Sequence, residues 1–376
     1  MKRLYFDHNA TCPAREAARE ALLSCLADPL AGNPSSVHAD GRRSRQRLEE
    51  AREALAALLD CDRDELLFTS GGTESNAMSL TAAPADRPVL HGPIEHPSIL
   101  APLAARPESI PLPVDGSGRV DPEDVARIAG SASPGLVTLA LANHEIGTVQ
   151  DIAAIAEAAH RAEALLHCDA SQAFGKLPLS FRESGTDLMT LAAHKLGGPV
   201  GIGALVIRKG TRVSGLILGG EQESGLRPGT EPAILAAAFA AAAREALDEL
   251  PEATPRWHAW TEQIWQALAA GEHEVVRNSP EDGRLPNTLN VSFPGRVGSS
   301  IVQRLDLEGV SASHGSACAS GSVRPSPVLL AIGADEARAI GALRVSVGPL
   351  NVDEDVPEFL VRLSRVLDAV TPRTNS

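Results

Sequence analysis

No two cysteines in this chain are spaced as C-x-x-C, and the total of five is odd. Neither a zinc ribbon nor a disulfide framework is therefore expected. Positive charge is also scarce: 34 Lys and Arg stand against 48 Asp and Glu, a formal net charge of −14. Such a surface repels nucleic-acid phosphates over most of its area, so no nucleic-acid partner is expected. Long apolar runs are missing. The longest, Ala233 to Ala243, is Ala-rich and too short to span a bilayer, which argues against a membrane partner. The first residues, MKRLYFDHNAT, carry two positive charges but no apolar core, so no secretory signal is expected. There is no internal repeat and no long linker. Together these absences fit a reducing, cytoplasmic setting.

What is present is enough apolar residue for a large core. The chain has 376 residues, 43% of them hydrophobic, which can fill one large core or two packed domains. Strand-like runs at 65–69, 89–91, 136–141, 165–169, 187–191 and 204–208 alternate with helical segments at 41–59, 121–129 and 151–162. This alternation predicts an α/β fold with a mostly parallel sheet covered by helices. In such sheets ligands sit at the carboxyl ends of strands, and the polar clusters fall there. After Pro251 the pattern changes to a helix with three tryptophans, followed by strand-like 287–293, 310–313 and 343–347 with helices between. That reads as a smaller α+β domain, with a soft break near 250. The run Arg42 to Arg47 is a local basic patch; its reading is the solvated face of a helix, ion-paired to Glu49, Glu50 and Glu53.

Five strand ends carry candidate chemistry, four of them with a plainer structural reading. Thr69 to Asn76 (TSGGTESN) opens a helix after a strand; two glycines there let backbone approach an anion, or Ser70 or Thr73 simply caps the helix. His96 can stack on a flat ring and move protons near neutral pH, or serve structure alone. Asn143 and His144 can bond a ring oxygen, or form a turn that caps the next helix. Asp169 and Gln172 follow the next strand, where an Asp can hold a pyridine nitrogen protonated or cap a helix. One strand–helix–strand excursion later comes Lys195, placed after a strand and before Gly197-Gly198-Pro199. A lysine at a strand end with an aspartate at the end of the preceding strand is the pair that pyridoxal phosphate requires: an amine for a Schiff base and a carboxylate for the ring nitrogen. Further on, Gly315 to Ser322 is a small-residue loop around a single Cys318, whose thiol can act as a nucleophile. The other four cysteines are expected to be packed, although Cys12 and Cys168 adjoin site-like motifs. Arg344 has the planar fork that matches a carboxylate, or makes a surface salt bridge.

Taken together the strings YFDHNAT, GNPSSVH, SGGTESNAM, IEHPSIL, NHEIGTVQDI, HCDASQAFGKLP, AHKLGGPVGIGAL, GLRPGTE, SHGSACASG and LRVSVG resemble the cysteine desulfurases of the NifS/IscS type, within the class V aminotransferase group. SHGSACASG is the most specific, and resembles the longer cysteine loop of the branch that feeds iron–sulfur assembly. The resemblance implies a homodimeric fold-type I enzyme that uses pyridoxal 5′-phosphate. The large domain would span 13–250, and the small domain 1–12 plus 251–376. Lys195 would carry the cofactor, Asp169 would pair with its ring nitrogen, Gln172 would bond its ring hydroxyl, and His96 would stack on it and move protons. Gly72, Thr73 and His194 would bind the phosphate, with Thr230 reaching in from the other subunit. His144 stands where the family has an Asn near the cofactor. Arg344 and Asn143 would face the substrate, L-cysteine. Cys318 would take the sulfur as a persulfide, and L-alanine would leave. The sulfur would pass to an acceptor protein, a scaffold or a sulfur carrier, for iron–sulfur clusters or thiolation.

Some positions depart from the family. Ala192 replaces a serine on the phosphate, which removes a hydrogen bond of about 1 kcal/mol. Pro228 replaces a serine, and Cys12 a threonine. Rival readings are a selenocysteine lyase, an aminotransferase of a small amino acid, and a non-catalytic cofactor-binding assembly partner.

Overall fold

The sheet is built from short, continuously apolar runs such as LVTLA, LMTLA and GALVI, which suit strands buried on both faces. A computed structural model describes residues 2–28, 32–106, 108–315 and 324–370. Its strands are β1 (Leu4–Tyr5), β2 (Leu66–Thr69), β3 (Val89–His91), β4 (Ser109–Pro111), β5 (Leu136–Ala140), β6 (Leu165–Asp169), β7 (Leu188–Ala192), β8 (Gly203–Ile207), β9 (Val276–Arg277), β10 (Thr288–Ser292), β11 (Val310–Ser311) and β12 (Ala342–Ser346). Seven of them form one sheet in the order β2-β8-β7-β6-β5-β3-β4. Only β8 runs against its neighbours, so the sheet is mostly parallel, as the alternation predicts.

Helices follow the strands and bring their own caps. Asp121 accepts from Glu123 N–H with Pro122 in the first turn of helix Pro122–Ala132, and Asp151 accepts from Ala154 N–H at helix Ile152–Arg161. The basic run lies on helix Ala39–Leu59, but its partners differ from those expected. Arg43 pairs with Asp40, and Arg47 with Asp28; Arg42 and Arg45 donate to the carbonyls of Val37 and Pro34. The downstream acids are taken by other residues, Glu49 by Arg52 and Arg63 and Glu53 by Arg63. Helix i,i+3 geometry and an incoming loop, rather than sequence proximity to the glutamates, decide these pairs.

The second core is smaller. An antiparallel sheet in the order β12-β10-β9 and a parallel pair β1-β11 pack beneath helices Gly298–Leu307 and Asp355–Ala369. Helix Ala233–Ala269 passes from one core to the other without a break. Alanine supports that continuity with the best helix propensity, and Pro251 and Pro255 lie inside the helix. Ala246 packs in the first core, whereas Leu250, Trp257 and Trp260 pack in the second. Leu4 and Phe6 from the N-terminus also lie in the second core, with the Phe6 ring 4.6 Å from that of Phe359. Replacing the fully buried Phe6 by Ala is expected to lower the unfolding free energy by about 3–5 kcal/mol. An unchanged midpoint in urea would show that the N-terminal segment does not hold this core.

Candidate active site

The carboxyl ends of β2, β5, β6 and β7 open onto a cavity of about 370 Å³ between the two cores. Gly72, Thr73, His96, His144, Asp169, Gln172, His194, Lys195 and Arg344 all line it. Asn143 does not. Its amide is spent on the loop that carries His144, donating to the Ile94 carbonyl and accepting from the N–H groups of Glu145 and Ile146. Thr230 is exposed and away from the cavity of its own chain. Cys318 lies outside the described residues; Gly315, just before it, reaches the cavity wall.

Asp169 ends β6 with both carboxylate oxygens engaged. Oδ1 accepts from Ser171 N–H at 2.9 Å, and Oδ2 from Asn76 Nδ2 at 2.8 Å. Asn76 Nδ2 also donates to Ser98 Oγ at 2.9 Å. Ser98 N–H donates to Nδ1 of His96, 3.1 Å away, at the start of helix Pro97–Ala104. With Nδ1 accepting, the neutral His96 ring carries its proton on Nε2. Its ring meets that of His144 edge to face, with centroids 5.7 Å apart.

Lys195 follows β7 in a single helical turn, Ala193–Lys195. Nζ donates to two main-chain carbonyls, Asn9 at 2.9 Å and Ala10 at 3.0 Å. Gln172 Nε2 donates to the same Asn9 carbonyl at 2.9 Å. Arg344, on β12, is buried. It donates to Asp7 Oδ1 at 2.7 Å and to the His144 carbonyl at 2.9 Å, while its Nε has no partner. The ion pair exists, as the plainer reading of Arg344 holds, but it stands in the cavity wall rather than on the surface.

Burial governs protonation here. Desolvation, followed by the charges of Lys195 and Lys176, pushes His194 down to about 4. His144 is depressed by burial and then by Arg344, and His96 by burial against a smaller opposing pull from Asp169. All three rings are therefore neutral at pH 7. Glu95, fully enclosed beside Asp169, is pushed up to about 8 by desolvation first.

Against this geometry, a model of the class-V aminotransferase family matches residues 4–359. The cysteine desulfurase IscS of Dictyoglomus turgidum is 38% identical over 98% of this chain and 95% of its own length. A solved NifS-like protein superposes with a TM-score of 0.90 at 32% identity, covering 98% of this chain and all of that one. Another solved structure, of SspA in complex with cysteine, superposes with a TM-score of 0.78 at 29% identity over 93% of this chain and all of that one. This chain belongs to the class-V aminotransferase family. Within it the chain falls among the cysteine desulfurases, whose cofactor is pyridoxal 5′-phosphate. The fold is that of a fold-type I enzyme of this family.

The cavity fits that cofactor on its own terms. Helix Gly72–Leu80 starts at the wall, and its first N–H groups lack partners within the helix, which suits a phosphate. A Cβ added at Gly72 would come within 3.1 Å of Ser171 Oγ, so the glycine keeps this corner open. Ser171 Oγ is itself buried without a partner, as are Asn76 Oδ1 and Glu95 Oε2. Ala192 borders the same corner.

Four residues at or beneath the site escaped sequence reasoning. Asn76 stands one helical turn after Gly72, and that i,i+4 spacing was a usable signal. Glu95 adjoins His96 but reads as an ordinary surface acid. Asn9 and Lys176 become visible only in three dimensions, since each is a polar residue surrounded by distant elements.

Glu95 yields a sign-specific expectation for protein stripped of cofactor. In the unfolded chain its carboxyl ionises near 4.5, whereas in the folded protein it keeps its proton to about 8. The folded state binds the extra proton between these values, so stability falls as pH rises through that window. Glu95→Gln is expected to gain stability relative to the parent across the same window and to level off above it. Parallel melting curves from pH 4.5 to 8 would refute the assignment.

Proposed function

We propose that this cavity converts L-cysteine to L-alanine, with Lys195 carrying the cofactor and Cys318 receiving the sulfur. One observation supports this most: the Lys195 amine and the Asp169 carboxylate, from adjacent strands, wall a single cavity with the Arg344 guanidinium of the second core. When bound, pyridoxal phosphate supplies an electron sink for the substrate's α-carbon. The protein supplies the rest. Asp169, held by Asn76 and Ser171 N–H, keeps the ring nitrogen protonated; Gln172 meets the ring hydroxyl. Gly72, Thr73 and His194 hold the phosphate, joined by the unpartnered Ser171 hydroxyl, which stands beside Ala192. Arg344 takes the substrate carboxylate, and Lys195 moves the α-proton.

In the sulfur step the Cys318 thiolate attacks the substrate sulfur. An S–S bond forms, the carbon–sulfur bond breaks with its electron pair going to carbon, and that carbon gains a proton and leaves in alanine. His96 serves that exchange as acid/base: neutral at rest, it takes the proton of the Cys318 thiol as the thiolate forms and then delivers it to that carbon. Asn143 acts on the substrate only by shaping the loop under His144. Leu216, Ile217 and Leu218 are exposed beside the Thr230 segment, which supports a homodimer in which Thr230 completes the partner's phosphate site. The sulfur then passes to an acceptor protein, a scaffold or a carrier. No helix among the described residues is long and apolar enough to cross a membrane; free thiols at Cys12, Cys25, Cys61 and Cys168 support a reducing cytoplasm.

The test is the visible spectrum of the purified protein before and after L-cysteine and a reductant, with alanine and sulfide assayed together. A cofactor band that changes on cysteine addition, with equal alanine and sulfide, is expected. A keto acid in place of alanine would mean transamination, and no band would defeat the reading. Lys195→Ala is expected to abolish turnover, and Cys318→Ala to bind cofactor and cysteine but release no alanine. A hydrogen bond to a charged group contributes about 1.5–3 kcal/mol, so Asp169→Asn is expected to lower kcat/KM by about 10- to 100-fold.

A further inference from the structure

Beneath the cavity floor lies a second lysine that the proposed chemistry does not use. Lys176 is 4% exposed and does not line the cavity. It sits four residues after Gln172 in the loop that follows β6, where a turn from Ala170 to Leu177 brings the two side chains together. Its Nζ donates to Gln172 Oε1 at 2.6 Å and to Asn9 Oδ1 at 2.9 Å. The loop is pinned from the other side as well. Gly175 has a φ of +79°, and a Cβ there would lie 2.9 Å from Leu196 Cβ, next to Lys195.

A side-chain amide has one accepting and one donating end, and which end faces a ligand decides what it can bind. Lys176 offers only donors, so it fixes the oxygen of Gln172 downward. The amide nitrogen then points up, where one N–H is taken by the Asn9 carbonyl at 2.9 Å and the second is left for an occupant of the cavity. The same amine fixes the oxygen of Asn9, whose Nδ2 donates to Thr288 Oγ1 at 2.8 Å. We infer that Lys176 is a positioning residue, which orients the Gln172 and Asn9 amides so that the cavity floor presents a donor to the ring oxygen of the cofactor. This rests on the pyridoxal phosphate reading of the site. Burial first, and then Lys195, lower the Lys176 amine to about 7. The role belongs to the ammonium form, which has donors alone and so leaves each amide only its oxygen to present.

The test uses purified protein carrying Lys176→Met, Gln172→Glu or both, with pyridoxal phosphate as the probe. The cofactor's dissociation constant and the position of its visible band are measured. Each single variant is expected to weaken binding by about tenfold, the loss of about one hydrogen bond, and to move the band. The double variant is expected to be no weaker than the worse single variant, because both changes act on the same amide. An unaltered band and affinity in Lys176→Met, or losses that multiply in the double variant, would overturn the inference. Should Lys176→Met fail to fold, Gln172→Glu decides alone: wild-type affinity there would mean that no donor faces the cofactor. A parent protein that binds no pyridoxal phosphate would defeat the reading of the site itself, an outcome distinct from any behaviour of the variants.

Discussion

The site depends on the requirement that a buried polar backbone be fully paired, and Asn9 is where that requirement is met. Its N–H donates to Ser346 Oγ at 3.0 Å, and its carbonyl accepts from Lys195 and Gln172. Its side-chain oxygen accepts from Lys176 and, at 3.2 Å, from Asn287; its side-chain nitrogen donates to Thr288. An asparagine 1% exposed would be costly if any of these groups stayed unpaired. Because the partners come from β10, β12, the loop after β6 and the turn after β7, satisfying one residue fixes four pieces of chain at once. Leu4 and Phe6 carry this residue to its place by burying themselves in the second core.

Much of this was legible beforehand because strand ends are punctuated by polar residues in an otherwise apolar pattern. The runs at β3 and β6 are placed to the residue, and that at β7 to within one position. Strand β4 was not anticipated: three residues at the sheet edge, ending in proline, carry no usable periodicity. The chain also reads as broken near 250, yet one helix runs through that point, since a helix can continue while the core beneath it changes. At the site, residues that face the cavity from their own strand end could be named from the sequence. Asn143 misled because an Asx turn and a ligand contact draw on the same side chain, and its loop hydrogen bonds consume it.

Desolvation outweighs attraction among the titratable groups. His96 lies close enough to Asp169 to feel its pull toward protonation, but burial has the larger effect and the ring stays neutral. His144 and His194 also face the cations Arg344 and Lys195, which add to the same direction. Glu95 shows the same burial effect with the opposite sign, and the negative charge of Asp169 adds to it, so the carboxyl holds its proton. Burial therefore leaves the three histidines and Glu95 as neutral donors and acceptors around Lys195, Arg344 and Asp169, the groups to which the proposed function assigns its chemistry.

The departures from the family pattern fall on groups whose hydrogen bonds the surrounding structure can supply in other ways. Cys12 touches the site through its backbone, its N–H donating to the His194 carbonyl at 2.9 Å, so the side chain at that position is not what holds His194 in place. Ala192 gives up a hydroxyl next to Ser171, whose own hydroxyl stands there without a partner. The asparagine expected at 144 would offer a neutral amide, and a histidine kept neutral by burial offers a neutral donor and acceptor in its stead. At these positions a second group stands where the hydrogen bond is lost, or the main chain does the holding. At Asn9 neither condition applies, since both ends of its amide and both of its main-chain groups are committed to different elements.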